Sequence, residues 1–196
     1  PAFIHLQMVS DLLKSAHFSF QITLGAQDVS PFPDGTYTGA VTARMLQDIG
    51  VTHVIVGHSE RRQWFHETPQ DVALKVNQTL HHDIHPIVSV DRENFRTQLA
   101  QFDDESLRRI MIMYEPPESI STMAGSIGTG TSADIADIEE MAAALSRLAP
   151  ETPVLYGGSV KSTIAKTFLN HQDLAGVVVG TASMDAQEFI KILNAA

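Results

Sequence analysis

The chain has no cysteine among its 196 residues, so neither a disulfide framework nor thiol chemistry is open to it. Positive charge is scarce as well. Lys plus Arg number 13 against 23 Asp plus Glu, and the formal charge is −10. That balance argues against a nucleic-acid or membrane-surface binder, which needs a basic patch. It leaves room for a small anionic substrate, because a few backbone N–H groups can bind a phosphate in an acidic protein. Long apolar runs are missing too: none approaches the roughly 18 residues of a membrane span. Pro1-Ala2-Phe3-Ile4-His5 is not a charged leader followed by an apolar stretch. No signal peptide is therefore expected, and the expected location is the cytoplasm. Hydrophobic residues make up 43%, enough for a core of ordinary size.

Short apolar runs alternate with amphipathic stretches. Strands are expected at Phe20–Gly25, His53–Gly57, Pro86–Val90, Arg109–Tyr114, Pro153–Tyr156 and Gly176–Gly180. Each is short, rich in β-branched residues and closed by a glycine or a polar residue, as strands of a buried parallel sheet are. Helical patterns lie between them. Phe3 to Leu13 places Leu6, Val9, Leu12 and Leu13 near helical spacing. Thr68-Pro69-Gln70-Asp71 opens a helix with Val72, Leu74, Val76 and Leu80. Ser132-Ala133-Asp134 opens another, carrying Ile135, Ile138, Met141, Ala142 and Leu145, and Ala186 to Leu193 forms a terminal helix. The β-α alternation implies a parallel α/β fold, with no linker that would split residues 1–196 into two domains. Periodicity does not separate an open doubly wound sheet from a closed barrel.

Four motifs stand at predicted strand ends. Gly57-His58-Ser59-Glu60-Arg61-Arg62 places a histidine where a helical turn opens. N–H dipoles there disfavour the cation, and a neutral imidazole can donate to a substrate oxygen. Alone, such a histidine is more often a surface residue capping a turn. Tyr114-Glu115-Pro116 sets a carboxylate before a Pro-stiffened loop, as a general base tuned by burial would be. Alone, it reads as a solvated loop residue. Tyr156-Gly157-Gly158-Ser159-Val160 and Val179-Gly180-Thr181-Ala182-Ser183 bring small residues to strand ends, where backbone amides can approach a phosphate. Each alone is an ordinary turn.

Together, and in this order, the motifs resemble those of the triosephosphate isomerases. The resemblance runs nearly end to end. It implies a TIM (β/α) barrel of the α/β class, truncated to about six recognisable βα units. It implies interconversion of dihydroxyacetone phosphate and glyceraldehyde 3-phosphate, in glycolysis and gluconeogenesis, without metal or organic cofactor. Glu115 would be the base and His58 the neutral electrophile, the pairing known for this family. Ser59 and Glu60 would stand behind them. Backbone amides at Ser121, Ser159, Gly180 and Thr181 would hold the phosphate, at the site formed after the last two strands of such a barrel. The stretch from Gly25-Ala26-Gln27-Asp28-Val29 to Gly35-Thr36-Tyr37-Thr38-Gly39 resembles the family's third loop, which docks into a neighbouring subunit. Gln27 and Thr38 would then be interface residues of a homodimer or larger homo-oligomer. With Pro31 and Pro33 the same stretch also reads as a structured surface turn.

Several features depart from the family. Three residues commonly separate Glu-Pro from Ile-Gly-Thr-Gly, whereas here Ile127-Gly128-Thr129-Gly130 comes seven residues later than expected. By spacing Ser121 takes the phosphate-binding amide position and by identity Gly128 does; we favour Ser121, since an amide needs no particular side chain. Ser89-Val90-Asp91 stands where relatives usually carry Cys-Ile-Gly-Glu, and the helix after it is abbreviated. The family's opening Asn-x-Lys, whose lysine steadies substrate charge, does not occur. Lys14, Lys75, Lys161, Lys166 and Lys191 all fall in predicted helices or their flanks. On this alignment the first strand, first helix and second strand are absent. Six strands with eight-stranded tilt do not close, leaving unpaired edges and an exposed interior unless the missing segment exists, another chain supplies it, or the strands re-close.

His81-His82-Asp83-Ile84-His85 has ligand types but no closed metal spacing, and Thr122 to Gly130 lacks the Gly-Lys ending of a nucleotide loop. The remaining alternative is a relative that has lost catalysis and serves as a phosphate-ligand-binding or structural subunit.

Overall fold

The computed structural model describes residues 1–119 and 134–195. Six strands form one parallel sheet: β1 (Leu24–Ala26), β2 (Val51–Val56), β3 (His85–Val90), β4 (Met111–Tyr114), β5 (Val154–Tyr156) and β6 (Gly176–Val177). Their spatial order is their sequence order. A parallel neighbour cannot be reached by a hairpin, so each connection crosses back over the sheet. Among the described residues α1 (Leu6–Ser15) precedes β1, the helices in the connections are α2 (Ala43–Asp48), α3 (Ser59–Trp64), α4 (Pro69–His81), α5 (Phe95–Leu99), α6 (Asp104–Arg109), α7 (Ile135–Leu148) and α8 (Ala165–Leu169), and α9 (Ala186–Leu193) follows β6. The result is a curled arc of a (β/α) barrel, α/β throughout, with β1 and β6 as its two edges.

Openness is written into burial. Successive side chains of a strand point to opposite faces. Val54, Val56, Val88, Val90, Ile112, Tyr114, Val154 and Tyr156 all belong to the buried core. The alternate residues Ile55, Ile87 and Leu155, on the inner face, are only half-buried, whereas Ser89 and Met113 on the same face are buried. The expected strand at the first edge shortens accordingly. Phe20 and Ile22 are 60% and 40% exposed, and pairing begins only at Leu24. At the other edge the ladder ends at Val177 rather than at Gly180.

The helices follow their sequence signals closely, with differences in the buried face. Thr68 caps α4 through a reciprocal box with Asp71, and Pro69 sits in the first turn, where its missing N–H costs nothing. The buried stripe of α4 is Val72, Lys75, Val76 and Thr79, the i, i+3, i+4, i+7 spacing of one face. Leu74 falls off that stripe and is 46% exposed. Helix α7 buries Ile138, Met141, Ala142 and Leu145 but leaves Ile135 outside, and its cap is Asp134. The N-terminal segment begins as a 3₁₀ turn over Phe3–His5, and α1 buries Leu6 and Ser10 while Leu12 stays exposed. Helix α5 is only five residues long, as the abbreviated stretch implied.

Candidate functional site

Every candidate motif in the described residues lies just after a strand, on the rim where the strands end. Gly57 follows β2 with φ of +69°, a conformation that a side chain disfavours, and a Cβ there would lie 3.0 Å from Val72. That turn delivers His58 as the N-cap of α3. Its Nδ1 accepts the backbone N–H of Glu60 at 3.3 Å, so in the neutral ring the proton sits on Nε2. Nε2 in turn meets Oε1 of Glu115 at 2.7 Å.

Glu115 follows β4 and is 3% exposed. Its backbone N–H donates to Val90 O at 2.8 Å, which extends the ladder to β3 by one residue. Oε2 accepts from Ser89 Oγ at 2.7 Å and from the Ser59 backbone N–H at 3.2 Å. Both carboxylate oxygens are therefore held. Burial pushes the Glu115 carboxyl up, but the His58 hydrogen bond and charge, then the Ser89 and Ser59 donors, outweigh it and hold it below the ordinary range. Burial likewise pushes the His58 imidazolium down, yet Glu115 outweighs it, with Glu60 adding to the rise. The expected neutral histidine is thus opposed in this arrangement by its carboxylate partner, and favoured by burial and by the Glu60 amide.

Opposite shifts give the pair a pH window. His58, raised above its ordinary 6.5, contributes stability that is complete below pH 6.5 and lost as pH rises through its folded value. Glu115, held below its ordinary 4.5, contributes stability that is complete above pH 4.5 and lost as pH falls through its folded value. The contact should therefore stabilise most between these two values. The melting temperature of the chain relative to a His58→Gln, Glu115→Gln double variant should show its largest advantage there. An advantage constant from pH 4 to 8 would contradict the ion pair.

A cavity of about 1000 Å³ opens over this pair. Gly158, Ser159, Gly180, Thr181, Gln27 and Glu60 all line it. Ser159 Oγ donates to Ser119 O at 2.9 Å and so ties the turn after β5 to the segment after Glu115. The structure thus gathers His58, Glu115, Glu60, Ser159, Gly180 and Thr181 around one opening, with Ser59 buried behind Glu115. Thr38 is an exposed loop residue and does not line it. Ser121 and Gly128 lie outside the described residues. Of the five lysines, Lys161 lines the cavity, beside the turn after β5. Among the described residues no group of three or more potential ligands could hold a metal ion.

Gly158 is small for a visible reason. A Cβ there would overlap the Tyr156 hydroxyl and lie 2.8 Å from Ser119 Cβ. Gly158→Ala should displace the turn from Ser119, costing about 1–3 kcal/mol as overpacking does. Urea unfolding and phosphate titration should show lower stability and weaker binding together; an unchanged midpoint would show that the turn has slack.

Sequence reasoning did not foresee how the rim is buttressed. Arg62 reaches the carbonyls of Gly57 and Ser89 and the carboxylate of Asp91, clamping the ends of β2 and β3. Tyr114 OH donates to Asp137 at 3.0 Å, and Arg92 pairs with Asp137 and Glu140, fixing α7 against β4.

The rim that unites a buried glutamate, a strand-end histidine and two small-residue turns is the feature on which comparison with known proteins turns. The sequence model of the family described as triosephosphate isomerase matches residues 1–196. The chain belongs to the triosephosphate isomerase family. Among curated relatives, the triosephosphate isomerase of Coxiella burnetii (strain Dugway 5J108-111) is 39% identical, covering 98% of this chain and 80% of its own length. Those of Caldanaerobacter subterraneus subsp. tengcongensis and Mycoplasmopsis agalactiae are each 35% identical. They cover 99% and 89% of this chain, and the chain spans 84% and 70% of their lengths. The six parallel strands of the described residues, curled in sequence order, agree with the (β/α) barrel of that family.

Proposed function

We propose that the chain is an aldose–ketose isomerase that interconverts dihydroxyacetone phosphate and glyceraldehyde 3-phosphate. The observation that carries the reading is the buried Glu115 carboxylate, held 2.7 Å from His58 Nε2 on the rim of a family barrel. Substrate enters between the two groups. A Glu115 oxygen takes the proton from the carbon beside the carbonyl, and that bond's electron pair moves to the carbonyl oxygen. His58 Nε2–H gives its proton to that oxygen and takes the proton of the neighbouring hydroxyl, whose oxygen becomes the new carbonyl as Glu115 returns its proton to the former carbonyl carbon. Parting the pair removes the largest upward influence on His58 and leaves burial against the cation, so the ring meets substrate neutral.

Amides at Ser121, Ser159, Gly180 and Thr181 hold the phosphate, and Ser59 and Glu60 support the pair. Arg61 and Lys161 are the Arg and Lys side chains lining the cavity among the described residues, and they temper the acidic surroundings of a dianionic substrate. The chemistry asks for no metal or organic cofactor. Residues 1–196 act as one domain, in a cytoplasmic homodimer or larger homo-oligomer whose contacts include Gln27 and Thr38. Among the described residues no helix is long and apolar enough to cross a membrane.

A coupled assay of glyceraldehyde 3-phosphate conversion by the purified chain tests this. Turnover well above a buffer control is expected. Binding of a phosphorylated three-carbon analogue without turnover would assign a ligand-binding role instead.

A further inference from the structure

Ser89 is on the inner face of β3, where it pairs in register with Met113 of β4, two residues before Glu115 on the same face. Its side chain is 1% exposed. A hydroxyl carries one proton, and here it goes to Oε2 of Glu115 at 2.7 Å. The same oxygen takes the Ser59 N–H, while Oε1 faces His58 and the cavity. The two oxygens of the carboxylate are therefore unequal. One is fastened to the wall by two donors from different elements, and the other is met, among the described residues, by the His58 side chain, which substrate displaces.

We propose that Ser89 is a positioning residue for proton transfer: its buried hydroxyl pins Oε2 of Glu115 to the β3 wall, so that Oε1 is the oxygen that takes the substrate proton. This rests on the isomerase reading. Without Ser89, Oε2 keeps only the longer Ser59 N–H bond of 3.2 Å among the described residues, which restrains rotation about the last side-chain bond less, and loss of a near-attack arrangement is expensive in rate. Around a carboxylate only 3% exposed, water is a poor substitute for the lost donor. The titratable side chain in contact with the carboxylate is His58, from the turn after β2. Arg62 reaches the Ser89 carbonyl from α3, but its charge is paired with Asp91. From the cavity side Glu60 approaches His58 Nδ1 at 3.7 Å rather than Glu115.

The test compares the full chain with Ser89→Ala and with Ser89→Cys, whose thiol is nearly isosteric and a weak donor. For Ser89→Ala, kcat should fall roughly tenfold, the order expected of a mispositioned base, with KM little changed. The acid limb of kcat/KM should move to higher pH. Ser89→Cys should fall between alanine and the parent, and carries the test if the alanine variant does not fold. A titration of the Glu115 side-chain carboxyl by carbon NMR, assigned by its loss in Glu115→Gln, should move upward in the same order. A folded Ser89→Ala with an unmoved Glu115 titration and an unmoved acid limb would overturn the proposal. Absence of turnover in the parent chain would instead remove the isomerase reading, and the NMR titration would still decide whether Ser89 holds the carboxylate.

Discussion

Glu115→Gln should lower kcat by about a hundredfold to ten-thousandfold, the usual contribution of a positioned acid–base group, while binding of a phosphorylated analogue is largely kept. The asymmetry follows from where the residue sits. Glu115 directly follows β4, and the turns proposed to hold the phosphate are those after β5 and β6. An amide keeps the acceptor for the Ser89 hydroxyl and the Ser59 N–H, so the turn that carries it should stay in place. What it lacks is basicity: an amide oxygen does not take a proton from carbon at neutral pH. Calorimetric titration with the analogue beside the coupled assay separates the two. Equal loss of binding and turnover would mean that the substitution collapsed the rim, and near-normal turnover would remove Glu115 as the base.

The motifs were legible because they are local. A six-residue string after β2 and a Tyr-Glu-Pro after β4 each specify a turn by themselves, and parallel pairing in sequence order then brings His58 and Glu115 together. The strand centres were legible for the same reason, as short β-branched runs. Edges were not. Whether Phe20 to Thr23 pairs depends on a neighbour, and no pattern within those residues records one. Leu74 and Leu12 fit the helical patterns yet stay exposed, because hydrophobicity alone does not give the helix phase that packing imposes. Ser89 was visible only as a departure from the family. That its hydroxyl reaches the base is a fact of register between β3 and β4, which one sequence does not state. The polar network beneath the third loop was least legible, since its members come from four separate stretches. Lysine in helix α4 reads as a solvated face until the fold turns it inward.

That inward lysine is the basis of the largest expected loss of stability. Lys75 has a side chain only 4% exposed and no water to turn to. Its Nζ pairs with Asp28 at 2.6 Å and with Glu67, itself 4% exposed. Arg61 completes a closed set, meeting Asp28 at 3.0 Å and Glu67 at 2.9 Å. The loop after β1, helix α3, the turn after it and helix α4 are thereby stitched together. His66 lies at a φ of +56° just before Glu67, an uncommon conformation for a residue with a side chain, and the network offsets that cost. Lys75→Met should cost about 3–5 kcal/mol, because it leaves carboxylates buried with a single cation between them. For a domain of this size each kcal/mol lowers the melting temperature by roughly 2–4 °C. Lys75→Met with Glu67→Leu should recover part of the loss, since replacing both members of a buried pair costs less than orphaning one. Urea unfolding of the single and double variants decides it. Additive losses would mean that the two residues act separately, and recovery would show that the penalty lay in the unpaired charge. Because Asp28 and Arg61 also line the cavity, the single variant should raise KM more than it lowers kcat, a split that links this buried network to the substrate end of the site.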